Sequence, residues 1–450
     1  MRRCRDRDRT QCGWLLLLIG GVATQLGCSE LEPPDRGHGR PPDVILVMID
    51  TLRTDHMSLF GYPKPTTPEI EEFAGVATDY RRAYAQSSWT APSVASLLAS
   101  RYPRELGEHK APSKLHPDTR TLARVLGDHG YQTEAVFTNR YISTRYGHEI
   151  GYDRVQEHLS HGAMVTSQQV TDAALLAARE SDRDRPLFLY AHYFDPHYDY
   201  VLQPGFELGP KAWGHPYDRN VVSFLAQTLR ADLDEEAMRG SRRNYDSEIA
   251  YTDHHVGRLL SGLRALGRFE HAVVVVVADH GEEFLDHGEI GHAIALYNET
   301  VHVPLLIKRP GQTHGERHLE PVSLLDVAPT IVALAGLPRE ASHRGKSLDG
   351  SRAPSPVFTS TFYYSEDEIA VIAGRYKAII DYRLGTFELF DLLVDPREQH
   401  SIADRKPRVA ALLRARVESW NEGRFQLKRG HDVRLTDREK AIMRSLGYAE

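Results

Sequence analysis

Two uninterrupted apolar runs set the frame for this chain: VILVMI at 44–49, ended by Asp50, and VVVVVA at 273–278, ended by Asp279. A strand with one wet face alternates apolar and polar residues, whereas these runs are apolar throughout, so both of their faces must be covered. Parallel strands flanked by helices meet that demand. Helical spacing recurs between the runs, in TRTLARVLGDHGY (119–131) and in YDSEIAYTDHHVGRLLSGLRALG (245–267), where Ile249, Val256, Leu259, Leu260 and Leu263 fall near one face. TEAVFT (133–138) and PLFLYAHYF (186–194) supply further strands. Strands alternating with helices predict an α/β fold with a doubly wound, mostly parallel sheet, whose ligands gather at the carboxyl ends of the strands. That rule places Asp50, Asp279, and Asp195 with His197 on one rim.

The two ends of the chain read differently. MRRCRDRDRT carries five Arg and two Asp, and the apolar WLLLLIGGVATQLG that follows stops at Cys28, too short for a membrane span and suited to an export signal over 1–28. Gln25, Leu26, Gly27 and Cys28 resemble a bacterial lipobox, with Gln25 where an aliphatic residue is usual. The resemblance implies lipidation of Cys28 and a periplasmic or membrane-anchored lipoprotein; ordinary cleaved export and an uncleaved anchor are the alternatives. Cys4, Cys12 and Cys28 are the only cysteines, so the body needs no disulfide in an oxidising compartment. SELEPPDRGHGRPP (29–42) reads as a linker. SLLDVAPTIVALAGLP (323–338) reads as a helix closed by Gly336, and the polar stretch 203–243 as a surface insertion near the cleft. From about 355 short strands take over (VFTSTFYY, EIAVIAG, YKAIIDY, FELFDL), which predicts a small antiparallel sheet followed by helices, a C-terminal subdomain over 353–450. The formal net charge of −7 shows no basic excess, which argues against nucleic acid as a partner and leaves any anionic substrate to a local site.

An Asp at a strand end is commonly a turn former or helix cap. Two such acids in one sheet are different, because a buried carboxylate pair without a cation bears like-charge and desolvation costs. One divalent metal ion is therefore expected, with His280 adding an imidazole beside Asp279. Nearby candidates are Thr51 and Asp55 after the first run, Thr90 ahead of Pro92 and an apolar helix, and His287 and His292 in ADHGEEFLDHGEIGH. Plainer roles stand beside these: Thr90 as a helix N-cap, His197 as a loop histidine paired with a carboxylate, and His287 and His292 as groups that orient ligands. His254 and His255, on a polar helix face, read as surface residues.

VILVMIDTLRTDHMSLFGY, TAPSVASLLASRYP, YAHYFDPHYDY, VVVVADHGEEFLDHGEIGH with YNETVHVPLLIKRPG, and YKAIIDYRLGTFELFDLLVDPREQHSIA follow the order and spacing of the sulfatase family of the alkaline phosphatase superfamily. The resemblance implies that family's fold, with a catalytic domain over 43–352. It also implies Asp50, Asp279 and His280 as metal ligands, joined by Thr90 at the nucleophile position. His197 then contacts the ester oxygens, and His292 stands where many sulfatases place a Lys. Ca is the metal favoured by resemblance, while the donor set equally admits Mn, Mg or Zn.

The departures bear on the reaction. Sulfatases convert a Cys or Ser in Cys/Ser-x-Pro-x-Arg to formylglycine, and this chain reads Thr90, Ala91, Pro92, Ser93, Val94. Related phosphodiesterases and phosphotransferases use an unmodified Thr, but those with two zinc ions carry an Asp-x-x-x-His pair that does not occur here, which favours one metal. The expectation is an exported hydrolase of small-molecule or glycan sulfate or phosphate esters. The alternatives are a catalytically silent sulfatase-like binding protein and a phosphodiesterase or phosphotransferase.

Overall fold

The computed structural model describes residues 39–107, 113–159, 166–197, 200–208, 235–350, 354–361, 368–422 and 431–432. The described residues from Pro41 onward form one compact unit. The segment read as an export signal, most of the stretch read as a linker and the middle of the polar stretch 203–243 lie outside the described residues. Among the described residues no helix is long and apolar enough to cross a membrane.

Eight strands form the main sheet: β1 (Val44–Ile49), β2 (Thr78–Tyr80), β3 (Gln132–Phe137), β4 (Arg154–Glu157), β5 (Leu187–Tyr193), β6 (Val273–Ala278), β7 (Leu305–Lys308) and β8 (Glu316–His318). Their order is β8-β2-β7-β6-β1-β5-β3-β4. Only β7 is antiparallel to its neighbours, β6 and β2; the other pairings are parallel. This is the mostly parallel α/β sheet expected from the sequence. Every residue of β1 and β6 is buried, as runs without a polar face require.

The helices α1 (Pro68–Ala74), α4 (Ser167–Glu180) and α5 (Glu235–Ala265) pack together, as do α2 (Thr90–Ala99), α3 (Leu122–Asp128) and α6 (Val327–Leu334), giving the sheet a helical layer on each face. Helix α5 starts well before the predicted 245, because the face it buries there is Met238, Ser241 and Asn244, too polar to show an apolar stripe. Its packing against both α1 and α4 also corrects one expectation: His254 is exposed, but His255 is buried, edge-on to Tyr251 and 2.9 Å from Arg258 Nη1.

The C-terminal strands β9 (Val357–Thr361), β10 (Glu368–Ala373), β11 (Tyr376–Asp381) and β12 (Thr386–Asp391) form an antiparallel sheet in sequence order. Alternation splits its apolar residues between two faces. Ala370, Ile372, Ile379 and Phe390 pack on Tyr84, Leu296 and Val301 of the main body, while Ile369, Val371, Ala378 and Ile380 pack under Leu413 and Val417 of helix α7 (Pro407–Glu422).

Candidate metal and catalytic site

Strands β1, β5 and β6 stop in register, with Ile49 beside Tyr193 and Ala278, so Asp50 and Asp279 emerge together. The Asp50 amide donates to Tyr193 O at 2.9 Å. The chain then turns through Thr51 at φ 55°, a left-handed conformation that costs a β-branched residue about 1–3 kcal/mol. Three contacts hold it there: Thr51 N to Asp279 Oδ1 at 3.3 Å, Tyr245 Oη donating to Thr51 O at 2.6 Å, and Arg53 N donating to Tyr245 Oη at 2.9 Å.

Thr90 is the first residue of α2, and its N-cap is Trp89, so the hydroxyl of Thr90 is not a cap. Thr90 Oγ1 lies 3.4 Å from Asp50 Oδ1 and 3.2 Å from His280 Nε2. Ser93, one turn on, donates to Asp279 O at 2.6 Å and fixes the helix against the end of β6. His280 anchors its ring through Nδ1 to Gly281 O at 2.9 Å, leaving Nε2 at 3.5 Å from both Asp50 Oδ1 and Asp279 Oδ2. Gly281 is required at this turn, since a Cβ there would sit 2.0 Å from Glu299 O.

These four donors fit a divalent cation. A cation bonded to O and N at about 2.0–2.6 Å holds neighbouring ligands roughly 2.8–4.2 Å apart, a range that contains the 3.2, 3.4 and 3.5 Å separations found here. Asp279 Oδ2 is buried without a hydrogen-bond partner among the described residues. Burial, then the neighbouring Asp279, pushes Asp50 well above the usual carboxylate range against the opposing pull of Asn139. Burial pushes Asp279 up to about 7, although the amides of His280 and Thr51 pull it down. Burial, then His292, holds the His280 imidazole well below its ordinary value and therefore neutral, the form a metal ligand needs.

His197 and His292 complete one side. The His197 ring stacks on Phe194 at 4.5 Å and meets His292 edge-on at 4.9 Å, and His292 lies 4.6 Å from His280. His292 Nδ1 is 2.8 Å from the buried Glu282 carboxylate, which can only accept; Nδ1 therefore carries the hydrogen.

Other candidates lie elsewhere. His287 stacks on Tyr297 and pairs with Glu299 at 2.5 Å; burial lowers its pKa, but the Glu299 carboxylate outweighs that and raises it to about 9. Asp55 pairs with Arg53. Asp195 turns its carboxylate to the Ser167 amide and hydroxyl, at 2.8 and 2.7 Å, and so braces the loop before His197. Three site residues escaped the sequence reading: Glu282, Asn139 and His192. Asn139 Nδ2 donates to Asp50 Oδ2 at 2.8 Å and to Thr90 Oγ1 at 3.2 Å. It stands two residues past the end of β3, where Asp50 stands one past the end of β1, so a strand-end rule widened by one residue could have found it. His192 is one polar residue inside the apolar run of β5, and its donor atom lies within 4.8 Å of those of Asp50 and Asp279.

Two family models match the chain, one described as Sulfatase over residues 42–337 and one as N-sulphoglucosamine sulphohydrolase, C-terminal, over 288–422. Choline-sulfatase of Rhizobium meliloti (strain 1021) is 26% identical over 427 residues, covering 81% of this chain and 82% of that protein. Arylsulfatase K of Danio rerio is 25% identical over 437 residues, covering 83% and 82%. Among solved structures, a protein in complex with its substrate D-glucosamine-2-N,6-O-disulfate superposes with a TM-score of 0.70 at 19% identity, covering 86% of this chain and 100% of that one. The phosphonate monoester hydrolase of Agrobacterium radiobacter gives 0.69 at 18%, covering 85% and 95%.

Proposed function

This chain belongs to the sulfatase family of the alkaline phosphatase superfamily and is a sulfatase-like ester hydrolase, and from that premise we propose that Thr90 is its nucleophile at a one-cation site. Asp50, Asp279, His280 and Thr90 would hold the cation. The observation that carries this reading is the position of Thr90 Oγ1, within 3.4 Å of Asp50 Oδ1 and 3.2 Å of His280 Nε2 at the start of a helix. When bound, such a cation lowers the pKa of the hydroxyl and offsets charge on the ester oxygens. One imidazole among the donors moves the preference from the all-oxygen shell of Ca toward Zn or Mn.

The chain's own groups account for the rest. Thr90 Oγ1 gives up its proton to solvent and bonds to sulfur or phosphorus as the bond to the leaving oxygen breaks, and hydrolysis of the adduct returns Oγ1 to a hydroxyl. His292, held by Glu282 through Nδ1–H, would give the proton that oxygen takes from Nε2 of its doubly protonated ring, with His197 beside it. Asn139 Nδ2 is placed to donate to a non-bridging oxygen. The Thr90 β-carbon bears one oxygen, so the adduct has no second hydroxyl to drive its elimination, and water must attack the sulfur or phosphorus. The unmodified Thr and the likeness to a phosphonate monoester hydrolase support phosphoric esters; relatives named for sulfate esters support sulfuric ones. The Cys28 lipobox resemblance supports a lipid-anchored periplasmic enzyme.

Purified protein assayed with 4-nitrophenyl sulfate, 4-nitrophenyl phosphate, a bis-aryl phosphodiester and a phosphonate monoester should turn over at least one, with activity lost to chelator, Asp279→Ala and Thr90→Ala. Full activity in Asp279→Ala refutes the metal assignment. Metal uptake without turnover of any ester, unchanged by Thr90→Ala, identifies the silent binding protein instead. Fractionation of cells carrying wild type and Cys28→Ala tests the anchor, which requires the wild type in the membrane fraction and the variant outside it.

A further inference from the structure

We infer that His192 is a second imidazole ligand of the cation held by Asp50 and Asp279, an inference that rests on the one-cation reading above. Residues on adjacent parallel strands that pair in register point to the same face. Met48 pairs with His192 and with Val277, and Asp50 and Asp279 lie two residues beyond Met48 and Val277. The three side chains therefore project from one face of the sheet. The structure bears this out, with His192 Nε2 3.7 Å from Asp50 Oδ2.

The hydrogen-bond network fixes the state of this ring. Thr138 Oγ1 touches both His192 O and His192 Nδ1 at 2.8 Å. A hydroxyl has one hydrogen and a carbonyl only accepts, so both contacts are made only if Nδ1 carries the hydrogen of the imidazole. Nε2 then presents its lone pair. It is fully buried, has no hydrogen-bond partner among the described residues, and faces a carboxylate oxygen at a distance too long for a hydrogen bond. Two acceptors confronting each other in a dry interior are unfavourable unless a positive centre lies within reach of both.

His280 shows the same construction from the other side of Asp50, with Nδ1 anchored on the Gly281 carbonyl and Nε2 aimed at carboxylate oxygens. An oxygen anchor on one ring nitrogen, with the other turned to the ion, is the usual support of a metal-bound histidine. Buried His148 and His343 leave both ring nitrogens without a hydrogen-bond partner among the described residues, so what marks His192 is the pairing of an anchored Nδ1 with an Nε2 that faces the Asp50 carboxylate.

The test uses the full chain stripped with chelator and reloaded with one equivalent of Zn(II), read by X-ray absorption at the zinc edge and by competition with a chromophoric chelator. The expected result is two imidazole scatterers in wild type, one in His192→Gln, and zinc affinity weakened at least 10-fold in the variant. Zinc uptake by wild type with a single imidazole overturns the inference about His192 and leaves the cation site standing. Failure of wild type to take up zinc, with Asp279→Asn behaving identically, overturns the cation site and this inference with it. The wild-type spectrum decides the matter even if His192→Gln does not fold.

Discussion

Replacing Asp279 with Asn should make the metal-stripped protein more stable at alkaline pH while ending cation binding. Asp279 Oδ1 accepts from His280 N at 2.9 Å and Thr51 N at 3.3 Å, and an Asn carbonyl oxygen keeps both bonds. The partnerless Oδ2, 3.5 Å from His280 Nε2, becomes an NH2 that can donate to that lone pair. The substitution thus removes a buried charge without removing a hydrogen bond. Burial raises the Asp279 pKa from 3.8 to about 7 in the folded state, and a difference of that size corresponds to about 4 kcal/mol. The sign follows from proton binding: below the unfolded pKa the group is protonated in both states and costs nothing. The penalty grows as pH rises through that range and is fully present above about pH 7. Asp50 shares the repulsion, so about 2–4 kcal/mol is expected at pH 8, falling to about 1 kcal/mol at pH 4.5. For a chain of this size that advantage at pH 8 moves the midpoint by on the order of 5 °C. Scanning calorimetry of wild type and Asp279→Asn after chelator dialysis reads this directly. Cation at about 100 times its Kd adds about 2.7 kcal/mol to wild type and nothing to the variant, closing or reversing the gap. A variant no more stable than wild type at pH 8, or equally favoured at pH 4.5, would refute the claim that the carboxylate pair carries an uncompensated charge.

Other consequences are equally direct. Asn139→Ala, which removes the amide 3.2 Å from Thr90 Oγ1, should lower kcat by about 10²–10³-fold with metal content unchanged; an undiminished kcat excludes Asn139 from the reaction. Glu282→Gln should lower kcat by about 10–100-fold and more for alkyl than for 4-nitrophenyl esters, because His292 loses the partner that fixes its tautomer; equal losses for both esters argue against a role in leaving-group protonation. Arg53 bonds Asp55, Asp286 and the Glu282 carbonyl, so Arg53→Met should cost about 3 kcal/mol in urea unfolding, and a loss under about 1 kcal/mol would mean these pairs are solvent-screened.

The parts of the fold legible in the sequence were those with a strong period. The fully apolar runs ending in Asp50 and Asp279 gave β1 and β6 to the residue, and the short runs EIAVIAG and YKAIIDY, set apart by turn residues, gave β10 and β11. Helix α5 was legible only where its stripe is apolar, and the polar turns before residue 245 carried no such signal. His255 was misplaced because periodicity shows one apolar face, while α5 is also packed laterally against α1 and α4. His287 looked as eligible for the site as His292, the two standing eight and thirteen residues past the same Asp; the turn at Gly281 and the left-handed Ala293 decide which ring comes back to His280.

By itself the sequence determined that strands end on carboxylates and that such acids, once buried together, call for a cation, because burial and like charge are properties of composition and pattern. It also supplied Thr90 as the candidate nucleophile. The lateral relations came only with the tertiary structure. The register of β1 with β5 and β6 sets Asp50 beside Asp279 and directs His192 toward them, and the start of α2 brings the Thr90 hydroxyl within 3.4 Å of Asp50. Register and helix placement arise from contacts between residues far apart along the chain, and no local pattern of apolar and polar residues encodes a distance across strands.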